Sequence, residues 1–175
     1  MTGVVAATIA LAGASADADG DIEPGSAGDT WTSATSKDNG QPLIHSLRTN
    51  ALSLRNRSRY AWRIGITWRF AHALANGMPG PEDRGQMTAI DDAIHQRFEA
   101  HDEQRIVYFT TGGGIREVML YGTSEAGAWQ AIDALAKRFP QELAGDRRRW
   151  AYVQRDAGWD EYRAVRAAIV PAEKR

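Results

Sequence analysis

Residues 60–70 constrain the fold of this chain more than any other segment, because their side chains alternate strictly in character. The apolar members are Trp62, Ile64, Ile66, Trp68 and Phe70, and the residues between them are Arg63, Gly65, Thr67 and Arg69. Successive side chains of a β-strand point to opposite faces of its sheet. The segment is therefore predicted to be a strand with one face in a hydrophobic core and the other face toward solvent or a partner.

Other periodic segments predict further strands and helices around this one. Apolar residues at steps of three and four predict helices over 82–100 and 125–139. The pair Asn39-Gly40 predicts a tight hairpin turn between strands at 31–36 and 42–49. The remaining predicted elements are strands over 106–111, 115–123 and 150–155 and a short terminal helix over 159–168.

The order of these elements predicts the fold class. From residue 60 onward it reads strand, helix, strand, strand, helix, strand, which is the ferredoxin-like split βαβ order. Two helices would cover one face of an antiparallel sheet, and the hairpin that precedes them would extend one edge. A chain of 175 residues fits one such domain. We therefore predict a single α+β domain over 31–168, followed by a frayed tail at 169–175.

The first thirty residues are predicted to be a leader peptide or a flexible segment. Residues 4–14 form an apolar run that is too short to span a bilayer, which needs about 20 residues, but that has the length of a signal-peptide core. Ala14-Ser15-Ala16 fits a small-x-small cleavage site, although no positive charge precedes the run. A cleaved leader would make the protein periplasmic or secreted, and an uncleaved segment would leave it cytoplasmic.

Charge and cysteine content narrow the function classes. The chain has no cysteine, which excludes disulfides, thiol nucleophiles and cysteine metal sites. Residues 43–70 contain no acid and six arginines, which are Arg48, Arg55, Arg57, Arg59, Arg63 and Arg69. Such a segment either binds phosphate, as in an RNA-binding protein, or an acidic partner, or it is a solvated basic loop and strand.

Four short motifs occur in a fixed order along the chain. They are Asn39-Gly40-x-Pro42, Gly77-Met78-Pro79, Thr110-Thr111-x-Gly113-x-x-Arg116-Glu117-x-x-x-Tyr121 and Gln154-x-Asp156-x-x-Trp159-x-x-Tyr162. Together they resemble the bacterial family called domain of unknown function 695, over roughly residues 31–166. One departure is Ala157, where the family usually has proline.

The resemblance implies a ferredoxin-like α+β fold and no established activity. Members of the family can be joined to a domain resembling the regulator of ribonuclease activity B, which implies protein binding or control of RNA metabolism. The resemblance implies no cofactor.

The glycine turn offers one candidate site at Gly113, Arg116 and Glu117. Exposed glycine amides beside Arg116 could bind an anion, and a hydrolase or transferase acting on a phosphorylated substrate would then need a pocket holding Arg116, Glu117 and a histidine. Alternatively, the two charged residues are ion-pair partners across strands. The glycine run is not a nucleotide-binding motif, because it joins two strands and no Lys-Ser/Thr follows it.

Two further groups of residues are candidates for partner binding. Trp159 and Tyr162 share one face of the terminal helix, where they either dock that helix on the sheet or form an exposed aromatic platform. Arg63, Thr67 and Arg69 lie on the non-core face of their strand. The histidines are scattered, so no metal site is predicted.

The predicted function is that of a non-enzymatic binding or regulatory module that contacts a partner protein, with no catalytic residue and no cofactor. The alternatives are a hydrolase or transferase acting on a phosphorylated substrate, and a protein that binds RNA or regulates its metabolism.

Overall fold

A computed structural model describes residues 29–54, 57–99 and 102–170. Of the predicted leader and tail, only residues 29–30 and 169–170 are described, and the rest lies outside the described residues. The strands are β1 (Trp31–Asp38), β2 (Gln41–Arg48), β3 (Trp62–Arg69), β4 (Gln104–Gly112), β5 (Ile115–Gly122) and β6 (Ala151–Arg155). The α-helices are α1 (Pro81–Ile94), α2 (Glu125–Arg138) and α3 (Asp160–Ile169).

The described strands form one antiparallel sheet in the order β1-β2-β4-β5-β3-β6. The predicted α+β class with an antiparallel sheet is therefore confirmed. Asn39 and Gly40 both adopt positive φ, of 49° and 81°, as the predicted β1–β2 turn requires. Strand β2 pairs with β4, so the hairpin extends the sheet beyond β4.

Helices α1 and α2 cover one face of the sheet, which we call the helix face. The alternation predicted for β3 is confirmed, because Ile64 and Ile66 are 0% exposed on this face. The main hydrophobic core joins them to apolar side chains of both helices, including Ile90, Ile94, Ile132 and Leu135. Removing this apolar area from water is the main force that holds the helices on the sheet.

The first helix differs from its prediction at its C-terminal end. The α-helical part ends at Ile94, and His95–Glu99 forms a π-helical turn. In this turn the Glu99 Oε1 atom accepts hydrogen bonds from the Ile106 amide of β4, at 3.1 Å, and from Arg48 of β2, at 2.9 Å. The anchoring of Glu99 to two strands accompanies the departure from α-helical geometry, which the apolar spacing did not reveal.

Helix α3 packs on the opposite face, which we call the α3 face. It forms a second core with the 3₁₀ turn Ala51–Ser53, Tyr60 and the apolar side chains of the adjoining strands, which include Leu47, Val107, Met119 and Tyr121. This core occupies only one half of the face. No helix among the described residues packs on the other half, where the exposed side chain of Arg69 and the half-buried side chain of Thr67 lie.

Candidate functional site

Polar side chains cross the uncovered half of the α3 face. Strand pairing places His45 of β2 opposite Thr110 of β4, Thr110 opposite Glu117 of β5, and Glu117 opposite Thr67 of β3. Side chains of directly opposed residues lie on the same face of a sheet, so these four form one row. We call this row and its polar neighbours the polar strip, which consists of Ser36, His45, Arg63, Thr67, Tyr108, Thr110, Glu117 and Tyr152.

One end of the polar strip is a closed hydrogen-bond network around His45. Its Nε2 atom lies 2.7 Å from Ser36 Oγ, and its Nδ1 atom lies 2.6 Å from the Tyr108 hydroxyl and 2.8 Å from Thr110 Oγ1. Burial lowers the pKa of His45, so the imidazole is neutral and uses one nitrogen as donor and the other as acceptor. Both ring nitrogens are therefore satisfied.

Glu117 lies in the middle of the polar strip, and its carboxyl group has no hydrogen-bond or ion-pair partner in the described part of the chain. Burial raises the pKa of this carboxyl above its ordinary value, the positive charge of Arg63 offsets part of that rise, and the charge of Glu161 adds to it. The hydroxyls of Thr67 and Tyr152 also lack a hydrogen-bond partner within the described ranges. Three neighbouring half-buried polar groups thus have no hydrogen-bond partner in the described part of the chain, and their atoms still reach water.

The Tyr152 ring reaches this position because Gly65 leaves room for it. A Cβ atom on Gly65 would come within 2.1 Å of Tyr152 Cε1, so the ring lies directly on the backbone of β3. The guanidinium carbon of Arg63 lies 5.1 Å from the centre of the same ring. Burial raises the pKa of Tyr152 to about 12, so its phenol is neutral at physiological pH.

The two arginines predicted on this face differ in their environments. Arg63 is only 17% exposed, and it pairs with Glu161 of α3 at 2.5 Å and donates to Gln154 at 2.7 Å. Arg69 is exposed at the end of β3. The structure therefore brings Arg63, Thr67 and Arg69 to one face, as their alternation indicates, and the guanidinium of Arg63 is already engaged by Glu161 and Gln154.

The structure separates the residues of the glycine-turn candidate. Arg116 points to the helix face, where it pairs with Asp91 of α1 at 2.5 Å, donates to Thr111 and lies 4.4 Å from the centre of the Phe109 ring. Glu117 points to the α3 face, and Gly113 is exposed in the turn between β4 and β5. No single pocket can contain both charged groups, and the ion pair of Arg116 joins a strand to a helix rather than two strands.

Burial acts on the Asp91 carboxyl, which pairs with Arg116. The pKa of Asp91 is raised by burial, even though the Arg116 charge and hydrogen bond act in the opposite direction. Arg116 therefore forms an ion pair with the partly desolvated Asp91 carboxyl between α1 and the sheet.

Trp159 and Tyr162 dock α3 on the sheet. Both side chains are 0% exposed, and Trp159 stacks on Tyr121 with ring centres 4.0 Å apart. The Trp159 indole donates to the Tyr60 carbonyl at 2.8 Å, and the Tyr162 hydroxyl donates to the Arg48 carbonyl at 2.5 Å. Neither ring forms an exposed platform.

Sequence reasoning missed most of the polar strip. Ser36, His45, Tyr108, Thr110 and Tyr152 were not predicted as site residues, because they lie on strands whose order in the sheet was unknown. One available signal was Gly65, since a glycine in the middle of a strand often marks the close approach of another group.

A separate depression of about 480 Å³ lies on the outer side of α2. Arg97, Lys137 and Arg147 contribute its positive charge, and Arg147 pairs with Asp133. None of the residues predicted as functional lines it. No group of three or more histidine and acidic side chains within the described ranges is placed to hold a metal ion.

The architecture and the site together define an α+β domain whose antiparallel sheet carries a polar strip on one face. Residues 29–165 match the model of a family of unknown function, DUF695, and the chain belongs to that family. No curated protein and no solved structure matches the chain, so the ferredoxin-like description of its fold stays a prediction.

None of the helices in the described ranges is both long enough and apolar enough to cross a membrane.

Proposed function

We propose that this chain is a non-enzymatic binding module that holds a segment of a partner protein on the polar strip. The observation that carries the proposal is the convergence of three half-buried polar groups, on Glu117, Thr67 and Tyr152, that have no hydrogen-bond partner among the described residues. Half-buried polar groups that no protein atom engages are available to an external partner, so their clustering favours a binding surface.

The construction of the polar strip supports binding by a preformed surface. Its side chains come from strands of one hydrogen-bonded sheet, whose geometry requires little ordering when a partner arrives. Tyr108 and Tyr152 belong to the same strip as Glu117, with the Tyr108 hydroxyl engaged by His45, and tyrosine is enriched in protein interfaces because it offers apolar area and a polar tip together. Exposed Arg69 adds a charged rim.

The two alternative functions have less structural support. A phosphate-directed enzyme that uses the glycine turn would need Arg116 free, but Asp91 and Thr111 already engage it on the helix face. The arginine-rich segment does not present one basic surface in the described residues. Arg48 is buried in ion pairs, and Arg59 pairs with Asp102.

The proposal is tested by affinity capture from an extract of the native host, followed by mass spectrometry. The variant Thr67→Lys places a long cation over the polar strip, opposite Glu117, and we expect it to lose a protein that the wild-type chain retains. The matched control is Thr88→Lys, which makes the same substitution at an exposed position of α1 and leaves the α3 face unchanged.

A partner retained by the wild-type chain and by Thr88→Lys but lost by Thr67→Lys would support the proposal. Equal retention by all three proteins, or no specific retention by the wild-type chain, would contradict it.

A further inference from the structure

We propose that the group which the polar strip recognises is a basic side chain, the guanidinium of an arginine on the partner protein, and that Glu117 is its counter-ion. This inference rests on the proposed binding function and adds the chemical class of the recognised group. The support for a basic ligand comes from the charges and the unused hydrogen-bonding atoms of the polar strip.

The charges near Glu117 indicate which kind of group the polar strip can bind. Arg63 is the only basic residue of the polar strip other than neutral His45, and its charge is paired with Glu161. The phenols of Tyr108 and Tyr152 are neutral, because burial raises the pKa of each to about 12. An ionised Glu117 is therefore the one charge of the strip that forms no ion pair among the described residues, although the charge of Arg63 acts on it from farther away.

The polar strip also has unused hydrogen-bond acceptors. The two oxygens of a carboxylate accept several hydrogen bonds, and the free hydroxyls of Thr67 and Tyr152 each offer further acceptor positions. A guanidinium carries five N–H donors in a planar fork that pairs with a carboxylate through two parallel bonds. Its remaining donors can reach the neighbouring hydroxyls. An anionic ligand would instead place a like charge beside Glu117.

The partly buried environment of the Glu117 carboxyl also favours a cationic ligand. Burial makes the charged form of Glu117 unfavourable in the isolated chain, which is why its pKa is raised. A cation that binds beside it restores the charged form and gains from the reduced screening of a half-buried site. Binding of a basic group and ionisation of Glu117 are thus coupled, and one measurement can follow both.

The test uses nuclear magnetic resonance on the full chain, labelled with ¹⁵N and ¹³C. The probe is N-acetyl-arginine methylamide, and the matched control probe is N-acetyl-citrulline methylamide, which has nearly the same shape and no charge. We expect the arginine probe to shift the amide signals of Thr67, Thr110 and Met119 and to move the titration midpoint of the Glu117 carboxyl carbon to lower pH. We expect the citrulline probe to do neither.

Variants assign the effect to the carboxylate. Glu117→Gln keeps the size of the side chain and should weaken binding of the arginine probe by about tenfold or more, as expected for loss of a charge-assisted hydrogen bond. Glu103→Gln is the matched control, because Glu103 is exposed before β4, and it should bind like the wild-type chain. Tyr152→Phe keeps the ring on Gly65 and should weaken binding by less.

Three results would overturn the inference: equal binding of both probes, no response to the arginine probe, or a Glu117→Gln variant that binds it as tightly as the wild-type chain does. Partner capture separates this inference from the proposed function. Capture that is lost with Thr67→Lys but kept with Glu117→Gln leaves the binding surface in place and rejects the basic side chain. Capture that survives both substitutions rejects the surface itself.

Discussion

Adjacent residues of β5 show how differently the two faces of the sheet are built. On the helix face, Arg116 is held by Asp91 of α1 and by Thr111 of β4. On the α3 face, Glu117 is only partly covered, and its carboxyl has no partner in the described part of the chain. The backbone and the strand are the same, and only the face differs.

The helix face and the α3 face therefore contribute differently to folding and, as we propose, to binding. The helix face buries the main apolar core, which favours folding, although two Arg48 nitrogens and the Trp150 indole nitrogen enclosed there have no hydrogen-bond partner among the described residues. The uncovered half of the α3 face holds half-buried polar groups that have no partner among the described residues, and such preformed polar groups are typical of binding sites. Neighbouring substitutions in β3 and β5 should therefore have different consequences.

The largest expected contrast lies within β3. Ile66→Ala removes a fully buried side chain from the main core and should lower the free energy of unfolding by about 3 kcal/mol, from lost burial and the remaining cavity. Thr67→Ala, one residue further along, should cost less than about 1 kcal/mol. Urea unfolding measures both values. Similar losses at the two positions would contradict the contrast between the faces.

The next contrast concerns charge. Arg116→Ala leaves the Asp91 carboxyl between α1 and the sheet without its cation and should cost about 2 kcal/mol, because the pair is largely screened from water. Arg59→Ala is the matched control. Arg59 and Asp102 are 48% and 56% exposed, and loss of an exposed pair should cost about 0.5 kcal/mol or less. Equal losses at neutral pH would show that burial does not distinguish the two pairs.

Gly65→Ala tests how the Tyr152 ring is seated on the α3 face. The new Cβ would overlap Tyr152 Cε1, so the ring must move, and we expect a loss of about 1–2 kcal/mol in unfolding free energy from overpacking. Adding Tyr152→Ala removes the overlapping ring. In a double-mutant cycle, Gly65→Ala should then cost much less, and additive losses would show that the ring does not cause the effect.

The smallest effect is expected for Glu117→Gln, and its sign is opposite to that of the others. The folded-state pKa of Glu117 is raised, so ionisation opposes folding once the pH exceeds the ordinary value of 4.5. Glutamine removes this opposition and should raise the free energy of unfolding at neutral pH. Below pH 4.5 the carboxyl is protonated in both states, so the gain should disappear. Unfolding curves at several pH values will check this, and a gain that does not depend on pH would assign it to another cause.

Much of the fold could be predicted because its signals are local. Alternation in β3 is visible in nine consecutive residues, and the Asn39-Gly40 turn depends on the backbone freedom of two. The π-helical turn could not be predicted in this way. It accompanies contacts of Glu99 with Arg48 and Ile106, which are remote in the sequence or lie beyond the helix.

Most of the candidate site could not be predicted from short sequence patterns. Arg63 and Thr67 share a strand, so alternation was enough to assign them to one face. His45 and Tyr108 are 63 residues apart, and they meet only because β2 pairs with β4. Strand order depends on the summed packing of the whole sheet, which no short pattern encodes. The pairing of Asp91 with Arg116 could not be predicted for the same reason, since the two residues lie on different elements, 25 residues apart.

The position of α3 at the end of the described chain has a consequence for biosynthesis. Trp159 and Tyr162 supply the rings that seal Tyr121 and Leu47, yet they are translated after every strand of the sheet. While the ribosome is still making this last helix, the sheet can gain its helix-face layer but must leave an apolar surface bare. A nascent chain that stalls before Trp159 would therefore be a natural client for chaperones that bind exposed hydrophobic segments.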